Sequence, residues 1–315
     1  MASLNNQKIV ITGGAGFIGS HLAEELYPAN EVIILDNLFS GKLENIEPFL
    51  NYKQVSFFQG SVTDLSLLSA VFKGVDYVFH QAAITSVPRS IADPLNTDEV
   101  NIQGTLNVLL AARDNRVKKV IYASSSSVYG GNPSLPQKEE LPLNPLSPYA
   151  VTKLAGELYC GVFTAVYGLP TVCLRYFNVF GPRQDPDSQY AAVIPIFIKK
   201  LMVKEPPEIY GDGEQVRDFT FVKDVVQANV LAAVSEITGP VNVGTGKTTS
   251  VNKLAEILIE LTGNQTGGIH LRHTAPRPAD PRQSQADISK AQAFGYSPGY
   301  GLKEGLEITG QFFKK

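Results

Sequence analysis

The chain opens on an uninterrupted apolar run, Lys8–Thr12 (KIVIT), which passes without a spacer into Gly13, Gly16 and Gly19 and then into a helical pattern over residues 17–27. A strand with one wet face alternates apolar and polar residues; a run with no alternation is the pattern of a parallel strand covered on both faces. A parallel strand reaches its neighbour only through a crossover, usually a helix, so this opening commits the chain to α/β architecture. The pattern repeats. Strands are expected at residues 31–36, 55–59, 77–80, 120–123 and 171–175, with helices at 65–72, 100–114 and 149–167. Right-handed crossovers between them make a doubly wound parallel sheet of the Rossmann type.

Beyond residue 176 the pattern loosens. Pro, Gly and short motifs cluster at 181–187, 205–213, 239–249 and 273–287, between helices expected at 192–204, 224–235 and 251–262. This reads as a smaller mixed α/β lobe. The expected division is residues 1–176 for a cofactor domain, which also receives parts of 219–245, and 177–315 for a discontinuous substrate lobe. Residues 240–243 are expected to return a strand to the main sheet.

Composition narrows the class. The 315 residues carry a net charge of -3, so no overall basicity points to nucleic acid. No apolar stretch approaches the ~20 residues of a membrane helix, and the N-terminus lacks a signal-peptide core. Cys160 and Cys173 are the only cysteines and have no metal or redox spacing. His21, His80, His270 and His273 likewise share no metal spacing, and no metal is expected. A cytoplasmic enzyme or binding protein is the starting class.

Two constellations carry chemistry. Gly13, Gly16 and Gly19 give a tight strand-to-helix turn whose free amides suit a pyrophosphate. Asp36 ends the second strand, where a carboxylate takes the adenosine ribose hydroxyls and repels a 2′-phosphate, so NAD is expected rather than NADP. Tyr149 and Lys153 stand one turn apart on a helix opened by Ser147 and Pro148, where the ammonium is expected to lower the phenol pKa. The serine run 124–127 follows a strand that ends over the same crevice. One of its hydroxyls can bind the substrate oxygen whose proton Tyr149 removes, and at least two of the four suit a plain strand-end turn.

The motifs TGGAGFIG (12–19), DNL (36–38), HQAA (80–83), SSSSVYGG (124–131), SPYAVTK (147–153), RYFNVFGPRQ (175–184), YGDGEQVRDF (210–219), VGTG (243–246) and RPADPRQSQADISKA (277–291) resemble the extended short-chain dehydrogenase/reductases. Within them the nucleotide-sugar 4-epimerases of the UDP-glucose/UDP-N-acetylglucosamine type are most similar, in family order from about Lys8 to Tyr296. The resemblance implies tightly held NAD that is regenerated each turnover. Tyr149 takes the C4 proton as hydride leaves C4; the 4-keto sugar then turns over and receives the hydride on its other face. It places the cofactor against Gly13, Gly16, Phe17, Ile18, Asp36, Asn37, Ser40, Gly41, Ser61, Val62, Gln81, Ala82, Ala83, Tyr149, Lys153 and Tyr176. It places the UDP-sugar against Thr85, Ser125, Ser126, Asn178, Gln184, Ala192, Val193, Tyr210, Arg217, Arg277, Asp280 and Ser284. Of these, Arg217 and Arg277 meet the pyrophosphate and Asp280 the uridine ribose. Ser125 is the implied catalytic hydroxyl.

The same resemblance separates reactions. Related 4,6-dehydratases carry Asp-Glu where Ser126 and Ser127 stand, and decarboxylases carry Glu at the second position, so epimerisation is favoured. Ser284 replaces a Tyr of relatives restricted to glucose and galactose and leaves room for a 2-acetamido group. The expected substrates are UDP-GlcNAc/UDP-GalNAc with UDP-Glc/UDP-Gal activity beside them. Thr85, at a position where hexosamine-specific relatives have Gly, keeps a plain UDP-glucose 4-epimerase open. Asn178 and Asp185 disfavour a uronate epimerase, and a cofactor-releasing keto-reductase and a non-catalytic NAD sensor remain as rivals. Ser61 and Val62 stand where the family has Asp-Ile beside the adenine, and Phe219 stands for a Tyr. A homodimer through the helices at 100–114 and 149–167 is the family expectation.

Overall fold

The structure, a computed structural model, describes residues 4–186, 192–264, 269, 271–275 and 282–314. β1 (Lys8–Thr12), β2 (Glu31–Asp36), β3 (Val55–Gln59), β4 (Tyr77–His80), β5 (Lys119–Ser125) and β6 (Thr171–Tyr176) form a parallel sheet completed by the strand Gly239–Val243. The order is Gly239–Val243, β6, β5, β4, β1, β2, β3. Every pairing is parallel, as the continuous apolar runs require. The order reverses between β4 and β1, so a crevice opens at the carboxyl ends of these strands.

Each face of the central strands is covered. On one side α1 (Phe17–Leu26) and the helix Val222–Val234 bury Leu22, Ala23, Val225, Ala228 and Ala232 against the sheet. On the other, the helices Leu65–Val71, Gly104–Asp114 and Pro148–Tyr167 contribute Leu68, Val108, Ala112, Cys160 and Phe163. A separate core belongs to the lobe, where the helices Val193–Met202, Val251–Leu261 and Leu302–Phe313 meet around Phe197, Leu254, Leu258 and Leu306. No helix among the described residues is long and apolar enough to cross a membrane.

Two local details position the site. The Pro148–Tyr167 helix starts where Ser147 accepts the Ala150 N–H, with Pro148 in the first turn, and stops at Gly168 in the left-handed region. Its Tyr149 N–H donates to Ser90 Oγ at 3.0 Å, pinning the first turn to the short helix Val87–Ala92. The single helix expected over 100–114 begins instead as a wide π turn, Glu99–Gln103. The cause is long-range: the Asn101 amide donates to Ile84 O and Thr152 Oγ1, both at 3.0 Å, and accepts the Ile84 N–H at 2.8 Å.

Candidate active site

The carboxyl ends of the central strands and the loops of the lobe enclose a cavity of about 710 Å³. One end is built from the glycine turn. Gly13 has φ +68, and a Cβ there would lie 2.6 Å from Ala82 N, so only glycine lets the two backbones close. α1 then presents its first-turn amides with no acidic side chain beside them. Asp36 Oδ2 accepts the Ala15 N–H at 3.0 Å and Oδ1 the Leu38 N–H at 2.8 Å, leaving further lone pairs for a ribose. Burial pushes its carboxyl up while these backbone donors hold it down. This cradle fits a dinucleotide.

A buried relay supports that end. Thr105 Oγ1 donates to Asn101 O at 2.6 Å, so toward His80 Nε2 it can only accept. That assigns the ring proton to Nε2 and leaves Nδ1 to accept from Thr12 Oγ1 at 2.7 Å. Burial drives the His80 pKa down to about 3, keeping the ring neutral. His21 is also buried, with a ring nitrogen 3.0 Å from Pro182 O, and His273 Nδ1 lies 2.9 Å from Gly211 O. His270 lies outside the described residues. Among the described residues no group of three His, Cys, Asp or Glu is placed to hold a metal.

At the other end the serine run divides by orientation. Ser124 turns into the core and donates to Glu157. Ser125 faces the cavity, accepts the Ser127 N–H at 3.1 Å and stands close enough to the Tyr149 hydroxyl to pull its pKa down. Ser126 lines the wall, and Ser127 Oγ is buried without a partner. Lys153 Nζ donates to Ala123 O at 2.7 Å and lies 5.9 Å from the Tyr149 ring centre. Burial raises the Tyr149 pKa, Ser125 alone pulls it down, and burial lowers Lys153 to about 7.

Beneath these groups lies a buried ion pair that the sequence reading passed over. Arg175 on β6 donates from Nε and Nη2 to the two Glu157 oxygens at 2.9 and 2.7 Å, and from Nη1 to Tyr129 OH at 2.8 Å. The Tyr129 hydroxyl donates to Asn242 Oδ1 at 2.7 Å on the strand Gly239–Val243. The signal was present, since Glu157 repeats the four-residue step from Tyr149 to Lys153.

Most expected positions line the cavity: Gly13, Gly16, Phe17, Ile18, Asp36, Asn37, Ser40, Ser61, Val62, Gln81, Ala82, Ala83, Tyr149, Lys153 and Tyr176, with Thr85, Ser125, Ser126, Asn178, Gln184, Ala192, Arg217 and Ser284. Three stand off the wall. Gly41 backs the Asp36 carboxylate, against which a Cβ would fall at 2.7 Å. Val193 packs into the lobe core. Tyr210 ends the edge strand Glu208–Tyr210, paired with Arg272–Thr274. Arg277 and Asp280 lie outside the described residues. Lys42, Gln137, Arg183 and Gln283 also line the cavity and were not anticipated. Of these Arg183 and Gln283 fall within quoted motifs and Lys42 follows Asp36 closely, whereas Gln137 had no visible signal.

Comparison with known proteins decides the family. The profile described as the NAD dependent epimerase/dehydratase family matches residues 9–244. The chain belongs to that family. Its members are NAD enzymes with this Rossmann-type sheet, and the extended short-chain dehydrogenase/reductase character follows from it. A putative UDP-glucose 4-epimerase of Methanocaldococcus jannaschii is 41% identical over 311 residues, covering 97% of this chain and 98% of that protein. The solved UDP-N-acetylglucosamine 4-epimerase of Methanobrevibacter ruminantium M1, in complex with UDP-N-acetylmuramic acid, is 44% identical with a TM-score of 0.95, covering 99% of both chains. The UDP-glucose 4-epimerase of Thermotoga maritima with UDP-glucose is 39% identical with a TM-score of 0.92, covering 98% of each.

Proposed function

We propose that the chain is an NAD-dependent UDP-sugar 4-epimerase that interconverts UDP-N-acetylglucosamine and UDP-N-acetylgalactosamine and also accepts UDP-glucose and UDP-galactose. One observation carries the reaction class. The only carboxylates on the described cavity wall are Asp36 and Asp185. Asp36 ends β2, three strand spacings from β5, which is about 14 Å, and Asp185 lies 3.5 Å from Lys42. Near Ser125 the proton-handling groups are therefore Tyr149 and Lys153, which suits moving one proton off and onto one hydroxyl. Eliminating water or carbon dioxide asks for a further acid or base there.

In this reading NAD, held by the glycine turn and Asp36, would supply reversible hydride transfer at C4. Tyr149 accepts the C4 hydroxyl proton and later returns it, Ser125 holds the same oxygen, and Lys153 holds the nicotinamide ribose. Asn178 and Arg217 from the lobe, with Arg277 and Asp280, hold the UDP. Ser284 is small, is buried within the lobe wall and lines the cavity, which leaves space for a 2-acetamido group.

Proton NMR of the purified protein, incubated without added NAD with UDP-GlcNAc and UDP-Glc in turn, tests this. Conversion of both is the expected outcome. Conversion of UDP-Glc alone defeats the sugar assignment, and conversion of neither by protein that carries NAD defeats the reaction.

We also propose a homodimer through the outer face of the Pro148–Tyr167 helix, where Leu158, Val162 and Val166 repeat every four residues at 65, 49 and 67% exposure. Light scattering should give twice the chain mass, and Leu158→Glu should give the single chain.

A further inference from the structure

Eight buried side-chain polar atoms lack a hydrogen-bond partner among the described residues, and four belong to residues on the cavity wall: Ser127, Gln137, Arg183 and Gln184. Gln137 is the most constrained of them. It is only 2% exposed, and its main chain is fully committed. Its N–H donates to Gln285 O at 2.7 Å, while its carbonyl accepts the Asp287 N–H and Asn242 Nδ2, both at 2.8 Å. The neighbouring side chains turn elsewhere: Lys138 reaches toward Asp287, and Glu139 Oε1 accepts the Asn242 N–H at 2.8 Å. Only Gln137 of these three lines the cavity, and its amide oxygen is bonded to nothing.

A buried amide oxygen without a protein partner is unfavourable, and native interiors rarely retain one unless an ordered water or a ligand completes it. Position identifies that ligand. Gln137 pairs with Ala286, two residues beyond Ser284, and Asn242 joins its carbonyl to Tyr129, two residues beyond Ser127. Gln137 therefore belongs to the Ser125–Ser284 end of the cavity, remote from the glycine turn. We propose that Gln137 is a sugar-recognition residue whose terminal amide hydrogen-bonds a hydroxyl of the hexose. This rests on the reading that the Ser125 end holds the sugar. A neutral amide suits the task because rotation about its last bond offers either a donor or an acceptor, matching a hydroxyl that is both. Its main-chain bonds hold it in place before the sugar arrives, so little ordering accompanies recognition.

The test compares Gln137→Met, which keeps length and loses hydrogen bonding, and Gln137→Ala with the parent protein, all carrying NAD. Calorimetric titration with UDP and with UDP-glucose gives the ratio of the two dissociation constants. In both variants that ratio is expected to move about tenfold against the sugar, the scale of one hydrogen bond, while UDP affinity and melting temperature hold. KM for UDP-glucose should rise by the same factor with a smaller change in kcat. An unchanged ratio in either variant that folds overturns the proposal, as does an equal loss for UDP and UDP-glucose. Absence of turnover in a parent protein that binds UDP-glucose would defeat the epimerase reading and leave the Gln137 result standing.

Discussion

The two ends of the cavity are built on opposite plans. At the cofactor end the polar groups have internal partners before any ligand arrives: Asp36 holds two backbone amides, Ser61 is bonded to Thr63 at 2.8 Å, and His80 is tied on both ring nitrogens. At the proposed sugar end, Ser127 and Gln137 keep buried atoms open, as do Gln184 and Arg183 on the loop that meets α1, where Arg183 pairs with Glu24. A fully bonded frame has one arrangement and suits a ligand that never changes, whereas open groups suit a sugar whose stereochemistry inverts in every turnover. The frame also reaches under the chemistry, because Glu157 and Arg175 fasten β5, β6 and the Tyr149 helix together below Ser125.

The largest effect should come from breaking that frame. Glu157→Leu leaves the Arg175 guanidinium buried and unpaired, and is expected to cost about 3–5 kcal/mol of stability. The double variant with Arg175→Met should recover most of it; denaturant unfolding of the two measures the difference. If the single variant is as stable as the parent, the pair is no part of the frame. Next comes the chemistry itself. Tyr149→Phe should lose roughly 10³-fold in kcat while retaining bound NAD, read by coupled turnover assay and by cofactor extraction. Near-parental rates would remove Tyr149 from the mechanism.

On the open side, Ser284→Tyr should act as a filter. Filling the wall beside the sugar is expected to lower kcat/KM for UDP-GlcNAc by roughly 10–100-fold relative to UDP-Glc, within the range a steric pocket reaches. Competition between the two sugars in one NMR tube measures that ratio directly. An unchanged ratio places the acetamido group elsewhere in the cavity.

The two ends also differed in how far they could be read from the sequence. β1, β2 and β4 fall on the residues expected because buried parallel strands are written as continuous apolar runs, a local signal. The edge strand β3 also falls where expected, although only Val55 of it is buried. The Tyr149 helix was legible from its Ser-Pro start, and Asp36 from its place at a strand end. β5 and β6 run on to Ser125 and Tyr176, slightly past the expected ends, because ladder pairing continues where apolarity stops. The π turn at Asn101 was illegible, since it depends on bonds to Ile84 and Thr152 from distant segments. Gln137 was illegible for the same reason: it lies in an aperiodic loop and acquires its place only by pairing with Ala286. Glu157 was legible from spacing alone, but its importance depends on Arg175, which sits on another element.

The smallest effect concerns pH and falls on the frame. His80 and His21 have pKa values near 3 and 4, below the usual 6.5, chiefly through burial. Between about pH 4 and 6.5 the unfolded chain binds a proton at each ring that the folded chain does not. Stability therefore rises with pH across that window and is lost as pH falls, by about 1.4 kcal/mol per pH unit for each histidine. His80→Asn removes one such proton, so its unfolding free energy should fall less steeply between pH 6 and 5 by about that amount per unit. Protonating His80 Nδ1 would also end its acceptance from Thr12, whose Oγ1 lies 3.4 Å from the Ala82 amide beside Gly13. Acid should accordingly release NAD before it weakens UDP binding only as pH falls toward 3, where the folded ring takes its proton, which filtration of the parent protein across that range would reveal. Simultaneous loss of both ligands would mean that the two ends of the cavity are not independent.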